Sequence, residues 1–432
     1  MGMAVAPLAM AAACSGKPGS DSAPTGTQVR AFTGARLIDG RGGPAVENAT
    51  VVVSGDRIVS LGAGIPTPTG AAVVDLRGKT ILPGLIDAHV HLGGLPNGSS
   101  AAFGGRTLTD DYAVPRTRSL DYGVTSVRSL GDFLDDSLQV RDEVARNAVP
   151  GPRIVTSGPS FQMKGGHPNG TVWANDSTAA AEAARMPTTA DEATRMVDDL
   201  AAKGVDLIKV IVSGIVFPNG AGNGQKLPWD VIAAIVTAAH RNKLKVTAHT
   251  ETAEDAMRAI ELGVDHIEHM YIPRSGQLTD ESAYDSAFAL MAERGTVVTP
   301  TMIVSAQTTQ PLEEVDLRTL TAGHKLVQRA YDHGVRLAVG SDAHQPDVHG
   351  WGLLAELVMM VNDQQIPALR AIEAATKTNS EVLGLSDRLG TVEAGKLADL
   401  LVVSGNPAES ITDLANVQLV IQGGKTVVDK TR

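Results

Sequence analysis

Short hydrophobic runs, broken by turn-forming residues, occupy both ends of the chain. Between residues 28 and 80, runs of Val and Ile alternate with Ser, Gly, Asp, Pro and Thr, which predicts short β-strands joined by turns. Residues 389–432 repeat this pattern, and Gly423-Gly424 is a hairpin signal. Each segment is too short to bury a sheet by itself. We therefore expect both ends of the chain to pair in one small β-sandwich domain.

Between these ends the hydrophobic pattern alternates between strand and helix. The capping box Thr189-Ala190-Asp191-Glu192 predicts the start of a helix, which Gly204 ends, and an apolar strand follows directly. The same order recurs along the chain. The predicted strands lie at residues 81–91, 124–130, 153–157, 205–212, 244–249, 264–269, 296–302 and 335–342. Eight strand–helix units over roughly 300 residues predict an α/β fold with a (β/α)8 TIM barrel.

The first residues differ from the rest of the chain. An apolar run of small residues ends at Cys14, and a stretch rich in Ser, Gly and Pro follows it. This resembles the end of a bacterial lipoprotein signal, although Ala11 stands where that pattern prefers Leu and a positively charged start is missing. We expect an exported, periplasmic protein or one with a lipid anchor at Cys14. The alternative is a disordered leader with an incidental cysteine on a cytoplasmic protein.

These patterns divide the chain into four predicted segments. They are a leader or lipoprotein-like signal and linker at 1–27, the N-terminal part of the small β domain at 28–80, the barrel at 81–388, and the C-terminal part of the β domain at 389–432.

Composition and charge exclude several classes of protein. Hydrophobic residues make up 43% of the chain and aromatic residues only 3%, so the core consists of Ala, Val, Leu and Ile, which suits a parallel sheet covered by helices. The formal charge of −11 excludes nucleic acid as a partner, because phosphate binding needs a basic face. Beyond the first residues no segment is predicted to span a membrane. The single cysteine excludes a disulfide framework and a four-cysteine zinc site.

Residues that can bind metals occur near the ends of several predicted strands. His89 and His91 end the first strand, and strand alternation places both on one face. Lys209 lies inside the apolar fourth strand, where a charged lysine is costly to bury. Either its amine reaches solvent at the strand end, or it is carbamylated and its new carboxylate bridges two metal ions.

The later strands add further candidates. His249 ends the fifth strand, and Asp342 ends the eighth. The sixth strand contains both His266 and His269, which alternation places on opposite faces. We expect His269 to face the site, because it lies nearer the strand end, and His266 to be packed behind it. Because barrel enzymes carry their chemistry at the carboxyl ends of strands, these side chains are expected to converge.

The motifs around these residues resemble the amidohydrolase superfamily, in its binuclear subtype with a carboxylated lysine. The resemblance covers about residues 28–430 and is carried by Pro83-Gly84-Leu85-Ile86-Asp87-Ala88-His89-Val90-His91, Lys209, His249, Ile267-Glu268-His269, Gly340-Ser341-Asp342 and Gly395-Lys396-Leu397-Ala398-Asp399-Leu400. Gly123-Val124-Thr125-Ser126-Val127-Arg128 and the Gly165-Gly166-His167 loop are similar to one branch in particular. That branch contains imidazolonepropionase-like proteins, Xaa-Pro dipeptidases, arginine/lysine carboxypeptidases and ochratoxin-type amidases.

The resemblance implies two divalent metal ions, for which the ligand types favour zinc but also suit manganese, cobalt or iron. The more buried ion is expected to be held by His89, His91 and Asp342. The more exposed ion is expected to be held by His249 and His269. Lys209, carboxylated by CO2, would lie between the two ions.

Roles in catalysis and substrate binding also follow from the resemblance. Asp342 would pass a proton from the activated water to the leaving amine. His167 and His344 would contact the substrate, although a loop histidine such as His167 can also lie in solvent. His167 is followed by Pro168-Asn169, and Asp342 by Ala343-His344, where relatives differ, so the substrate is open.

The expected activity is hydrolysis of an amide or peptide bond in a dipeptide-like or N-acyl amino acid substrate. A Xaa-Pro dipeptidase, a carboxypeptidase or an ochratoxin-type amidase would fit this description. The alternative is a lactone or cyclic-imide hydrolase with the same metal centre. A binding module that kept only the fold is disfavoured, because every expected ligand is present. The expected partner is a small molecule, and assembly into a homo-oligomer is left open.

Overall fold

The computed structural model describes residues 29–93, 113–172, 182–216, 219–270, 281–304 and 315–431. The predicted leader, including Cys14, lies outside these residues. Within the described ranges, no helix combines the length and the apolar character needed to cross a lipid bilayer.

One eight-stranded sheet contains strands from both ends of the chain, in the order β18-β17-β16-β5-β1-β2-β3, with β4 beside β1. Its strands are β1 (Val29–Leu37), β2 (Val46–Ser54), β3 (Arg57–Ala63), β4 (Ala72–Asp75), β5 (Lys79–Pro83), β16 (Leu400–Ser404), β17 (Val417–Gln422) and β18 (Lys425–Asp429). The antiparallel pairing of β5 with β16 joins the two ends. The edge strand β3 also contacts the segment before β16, because the amide of Ile58 donates to the carbonyl of Lys396 at 3.0 Å. Phe32, Ile58 and Val402 are among the residues of its separate apolar core.

The middle of the chain forms parallel strands. A three-stranded sheet contains β6 (Leu85–Val90), β7 (Val124–Ser129) and β8 (Arg153–Thr156). A seven-stranded sheet, in the order β10-β9-β11-β12-β13-β14-β15, contains β9 (Ser160–Phe161), β10 (Ala184–Arg185), β11 (Leu207–Val212), β12 (Lys245–Thr250), β13 (His266–Glu268), β14 (Val297–Thr299) and β15 (Arg336–Leu337). The fold is therefore mixed α/β with parallel strands.

Backbone hydrogen bonds link the two parallel sheets at both edges. At one edge the amide of Ala88 donates to Val339 at 3.0 Å, and the amide of Asp342 donates to His89 at 2.8 Å. At the other edge the amide of Asp206 donates to Thr156 at 2.9 Å. Because the strands are parallel, the carboxyl ends of both sheets lie on one side of the molecule.

Helices cover the parallel strands. They are α1 (Ala113–Asp121), α2 (Leu134–Ala145), α3 (Ala190–Lys203), α4 (Trp229–Arg241), α5 (Ala253–Glu261), α6 (Asp285–Arg294), α7 (Leu326–Asp332), α8 (Trp351–Val358), α9 (Ala368–Glu373) and α10 (Asn379–Val382). Shorter 3₁₀ segments lie at Glu281–Tyr284, Met302–Val304, Leu317–Thr319 and Ile411–Ala415, and π turns lie at Met359–Asp363 and Ala374–Thr378.

Local sequence signals set the helix ends. The predicted cap of α3 is confirmed, because the Thr189 side chain accepts from the Glu192 amide at 3.2 Å, and Gly204 is left-handed with φ 86°. A left-handed residue at this position is costly for any side chain with a Cβ, which explains the glycine. The buried face of α3 is formed by Ala193, Val197 and Leu200.

The predicted first strand, 81–91, is divided at Gly84. Residues on one side of Gly84 belong to β5 in the terminal sheet, and residues on the other side belong to β6 in the parallel sheet. A Cβ at Gly84 would lie 2.3 Å from Thr125 Oγ1, so the crossing point requires glycine. Pairing with different partners, which hydrophobicity alone does not reveal, sets this boundary.

The predicted strands 296–302 and 335–342 are also shorter in the structure. β14 ends at Thr299, where Pro300 follows, and β15 ends at Leu337. The backbone then turns through left-handed residues, Thr301 with φ 51° and Asp342 with φ 51°. These turns place Thr301 and Asp342 beyond the ends of the strands.

Candidate metal centre

The predicted metal ligands lie at the carboxyl ends of parallel strands or just beyond them. His89 lies in β6, and His91 follows that strand. Lys209 lies in β11 and His249 in β12. His269 directly follows β13, and Asp342 lies beyond β15. Side chains separated by up to about 250 residues in sequence are thereby brought to one edge.

The centre of the group consists of His89, His269 and Asp342. One ligand atom from each lies within 4.8 Å of the others. The rings of His89 and His269 are 4.9 Å apart, and His89 Nε2 is 3.4 Å from Asp342 Oδ1. His269 and Asp342 both have positive φ, 73° and 51°, which is uncommon for residues other than glycine. Such backbone geometry is concentrated at functional sites, and here it places both side chains in the group.

Two further histidines extend this group. His91 Nε2 lies 3.0 Å from Asp342 Oδ1, and the ring of His249 lies 4.4 Å from that of His269. The sequence predicts that His269 belongs with His249, at a different ion from His89 and Asp342. In the structure, His269 lies beside His89 and Asp342 as well as beside His249. Histidine and carboxylate donors in this number are typical of sites for zinc and similar divalent ions.

Lys209 is 2% exposed, and its Nζ has no hydrogen-bond partner within the described chain. Burial lowers the pKa of Lys209 to about 8, against the opposing charges of Glu268 and Asp342. A buried amine without a partner costs free energy unless another group satisfies it. The environment therefore fits a lysine whose neutral form is readily available and whose partner is a bound group.

Each of three histidines has one ring nitrogen close to a side-chain oxygen. His89 Nδ1 is 2.8 Å from Glu268 Oε2, and His269 Nδ1 is 2.7 Å from Thr301 Oγ1. His249 Nε2 is 3.5 Å from Glu251 Oε1, a weaker contact. Partners of this kind orient metal-binding histidines and select their tautomer. Burial also lowers the pKa of His89 to about 4, so the ring is neutral, as a metal ligand must be.

A buried ion pair between Arg128 and Glu268 lies next to His89. Arg128, in β7, is 0% exposed and donates to Glu268 Oε1 at 2.5 Å and to the Ala88 carbonyl at 2.6 Å. Thr247 Oγ1 also donates to Glu268. Although burial acts to raise the pKa of Glu268, the charge of Arg128 and the hydrogen bond from His89 hold it well below its ordinary value. Glu268 is therefore an ionised acceptor, and sequence reasoning gave it and Arg128 no role.

The direction of His269 relative to His266 is set by the backbone beyond β13 rather than by strand alternation. His266 shares its face of β13 with Glu268, and its Nδ1 lies 3.4 Å from Arg128 Nη1, inside the fold. His269 lies beyond the strand, so its positive φ, rather than alternation, sets its direction. Both histidines are buried, and His266 lies behind the ligands, next to Arg128.

The two predicted substrate contacts lie at the edge of this group. The half-buried His167 ring is 5.1 Å from the ring of His249, and its Nδ1 is 2.7 Å from Thr171 Oγ1. His344 is also half-buried, and its Nδ1 is 3.0 Å from the backbone oxygen of Asp342. His167 is thus beside a predicted ligand, whereas His344 contacts the backbone of Asp342.

The family assignment follows from comparison with known proteins. The model of the amidohydrolase family matches residues 80–427. The chain belongs to the amidohydrolase family. The imidazolonepropionase of Sphingopyxis alaskensis is 24% identical to this amidohydrolase over 417 residues, which cover 88% of this chain and 93% of that protein.

Solved structures agree with this assignment. A Xaa-Pro dipeptidase with methionine bound in its active site is 28% identical, with a TM-score of 0.74 over 92% of this chain and 99% of that one. The Aspergillus niger ochratoxinase is 22% identical, with a TM-score of 0.76 over 94% and 97% of the two chains, which shows a shared fold alone. This amidohydrolase is a hydrolase acting on carbon–nitrogen bonds.

Proposed function

We propose that this amidohydrolase uses a binuclear metal centre to hydrolyse an amide or peptide bond in a dipeptide-like or N-acyl amino acid substrate. The observation that carries the proposal is the grouping of four imidazoles and the Asp342 carboxylate at one strand edge, with the unpartnered amine of Lys209 nearby. The similarity to a Xaa-Pro dipeptidase supports this substrate class.

In this proposal the side chains would hold two ions, most simply zinc. The ligands are His89, His91, Lys209, His249, His269 and Asp342. Carboxylation of Lys209 by CO2 would convert the buried amine into a bridging carboxylate, which removes the cost of an unsatisfied buried group. When bound, the ions supply a lowered pKa for water and polarise the scissile carbonyl.

The protein's own groups then handle the proton and orient the ligands. Asp342 accepts the proton of the attacking water on a carboxylate oxygen and delivers it to the nitrogen of the leaving amine. Although burial acts to raise the pKa of Asp342, its neighbours His89 and His91 hold it well below its ordinary value, so the carboxylate begins in the accepting form. His167, beside His249, contacts the carbonyl or carboxylate of the substrate.

We also propose that the two parallel sheets close into a (β/α)8 barrel over about residues 81–388, flanked by a small domain from both chain ends. The backbone hydrogen bonds at both edges of the two sheets support closure. A barrel would explain why six side chains from distant segments share one edge.

The proposed function is tested by metal content and turnover measured on the same preparation. We expect about two divalent ions per chain and hydrolysis of some members of a panel of Xaa-Pro dipeptides and N-acyl amino acids. We also expect loss of hydrolysis after chelation and recovery after adding zinc. Full activity in metal-free protein would refute the mechanism, and turnover of lactones or cyclic imides alone would refute the substrate class.

A further inference from the structure

Strand β12 and the residue after it place three side chains in succession on one face. Thr247, His249 and Glu251 alternate along the strand, so they share a side. Thr247 donates to Glu268 beneath the ligands, and His249 lies among the ligands. Glu251 is the next residue in this series toward the carboxyl end, with Oε1 3.5 Å from His249 Nε2. Its carboxylate therefore lies on the substrate side of the proposed centre.

The neighbouring strand holds this carboxylate in place. Ser213, which follows β11 on the same face as Lys209, donates its hydroxyl to Glu251 Oε1. Ser213 is itself fixed, because its oxygen accepts from the Ile215 amide at 3.2 Å. The Tyr284 hydroxyl donates to the backbone oxygen of Glu251 at 3.4 Å. The side chain of Glu251 remains 18% exposed, so a ligand can reach it from the strand ends.

The charge of Glu251 is not neutralised by a lysine or arginine in the described part of the chain. Its ion-pair contact there is with His249. Lys226, on the chain segment between β11 and α4, pairs with Asp255 at 2.5 Å. A bound ligand that covers this carboxylate removes it from water. This costs free energy if the ligand offers no hydrogen-bond donor, and it is favourable if the ligand places a cation there.

We infer that Glu251 is a specificity-determining residue that binds the free α-ammonium group of the substrate. This inference rests on the proposed function. In a dipeptide the α-nitrogen is two bonds from the scissile carbonyl carbon, so a carbonyl held at the ligands places the ammonium within a few ångströms of His249. An N-acyl amino acid has no cation at that position. The preferred substrates are therefore dipeptides with a free N-terminus.

A narrower role for Glu251 is to orient His249 alone. That role would affect all substrates equally, because it acts through the metal ligand. The two roles therefore differ in how they depend on the substrate, which makes them separable by a matched pair of compounds.

The experiment compares L-leucyl-L-proline with 4-methylpentanoyl-L-proline, which lacks only the amine. We expect the wild-type, metal-loaded enzyme to prefer the dipeptide in kcat/KM by on the order of 10²-fold, the size of a hydrogen bond between charged groups. Glu251→Gln should remove most of this preference while changing kcat/KM for the des-amino compound by less than about threefold. Glu254→Gln, the same change at an exposed site three residues away, is the matched control and should change neither.

Equal losses on both compounds, or no preference in the wild type, would overturn the inference while leaving the proposed function intact. If neither compound is turned over, binding decides the inference separately. L-leucine should then bind to the metal-loaded protein more tightly than 4-methylpentanoate by calorimetry, and Glu251→Gln should abolish the difference. Equal binding of the two probes would overturn the inference. Metal content of each variant is measured in parallel to identify any loss of ions.

Discussion

Replacing Glu268 with glutamine tests the buried contacts that join Arg128, Glu268 and His89 behind the proposed metal centre. The change preserves shape but removes the charge that faces Arg128. It also replaces one of the two carboxylate oxygens, which accept from Arg128 and from His89 Nδ1, with an amide donor, so the two partners cannot both keep an acceptor. Both partners are almost fully enclosed, at 0% and 1% side-chain exposure. Solvent therefore cannot replace the lost carboxylate, and the variant carries an uncompensated buried guanidinium.

The expected losses of folding stability and of metal affinity can both be estimated. Leaving one member of a buried ion pair alone costs about 3–5 kcal/mol. With an unfolding entropy of about 2.1 cal/mol/K per residue, a chain of this length loses roughly 3–6 °C in Tm. Removing the partner that orients a metal-binding histidine weakens metal affinity by about 10–100-fold. Glu268→Gln should therefore reduce both stability and affinity.

The assay separates the two effects. Thermal unfolding of metal-free protein gives the change in Tm, and competition with a chelator gives the zinc affinity. Combining Glu268→Gln with Arg128→Met removes the isolated charge, so Tm should partly recover while affinity stays low. Asp399→Asn breaks the ion pair with Arg153, at 3.0 Å and away from the ligands, and should lower Tm without changing affinity. Wild-type zinc affinity in Glu268→Gln would refute the orienting role.

Three other substitutions test separate parts of the structure. Thr301→Val removes the partner of His269 Nδ1 at 2.7 Å, so zinc affinity measured by chelator competition should fall about tenfold, and unchanged affinity would exclude this role. Lys209→Met keeps the buried position apolar but cannot be carboxylated, so metal analysis should find fewer than two ions per chain; two tightly held ions would count against a bridging lysine. Gly84→Ala places a Cβ 2.3 Å from Thr125 Oγ1 and should cost about 1–3 kcal/mol by denaturant unfolding. Thr125→Ala in the same chain should restore part of that loss, and no restoration would refute the steric reason.

The candidate metal ligands could be predicted from the sequence because their signals are local. A histidine or aspartate after an apolar run marks a strand end, and alternation places His89 and His91 together. Lys209 was recognised as a candidate because it is a lysine inside an otherwise apolar strand. In each case the residue type and its immediate neighbours were sufficient.

Other features depend on partners that are distant in sequence. Arg128 and Glu268 are separated by 140 positions, so their pairing becomes evident only when β7 and β13 are placed inside one fold. Glu251 likewise depends on Ser213 from the adjacent strand. The direction of His269 depends on a left-handed backbone angle, which strand alternation cannot anticipate.

The division of the first predicted strand has a similar origin. Hydrophobicity is continuous from residue 81 to 86, yet β5 and β6 belong to different sheets. The boundary is set by pairing with different strands, and glycine at position 84 allows the close approach to Thr125. Both depend on two segments rather than on one.

The most direct test is a crystal structure of zinc-loaded protein with anomalous scattering measured at the zinc absorption edge. We predict two peaks enclosed by His89, His91, His249, His269 and Asp342, with added electron density on Lys209 Nζ bridging them. Absence of zinc from this group, with Lys209 unmodified, would contradict the proposed centre.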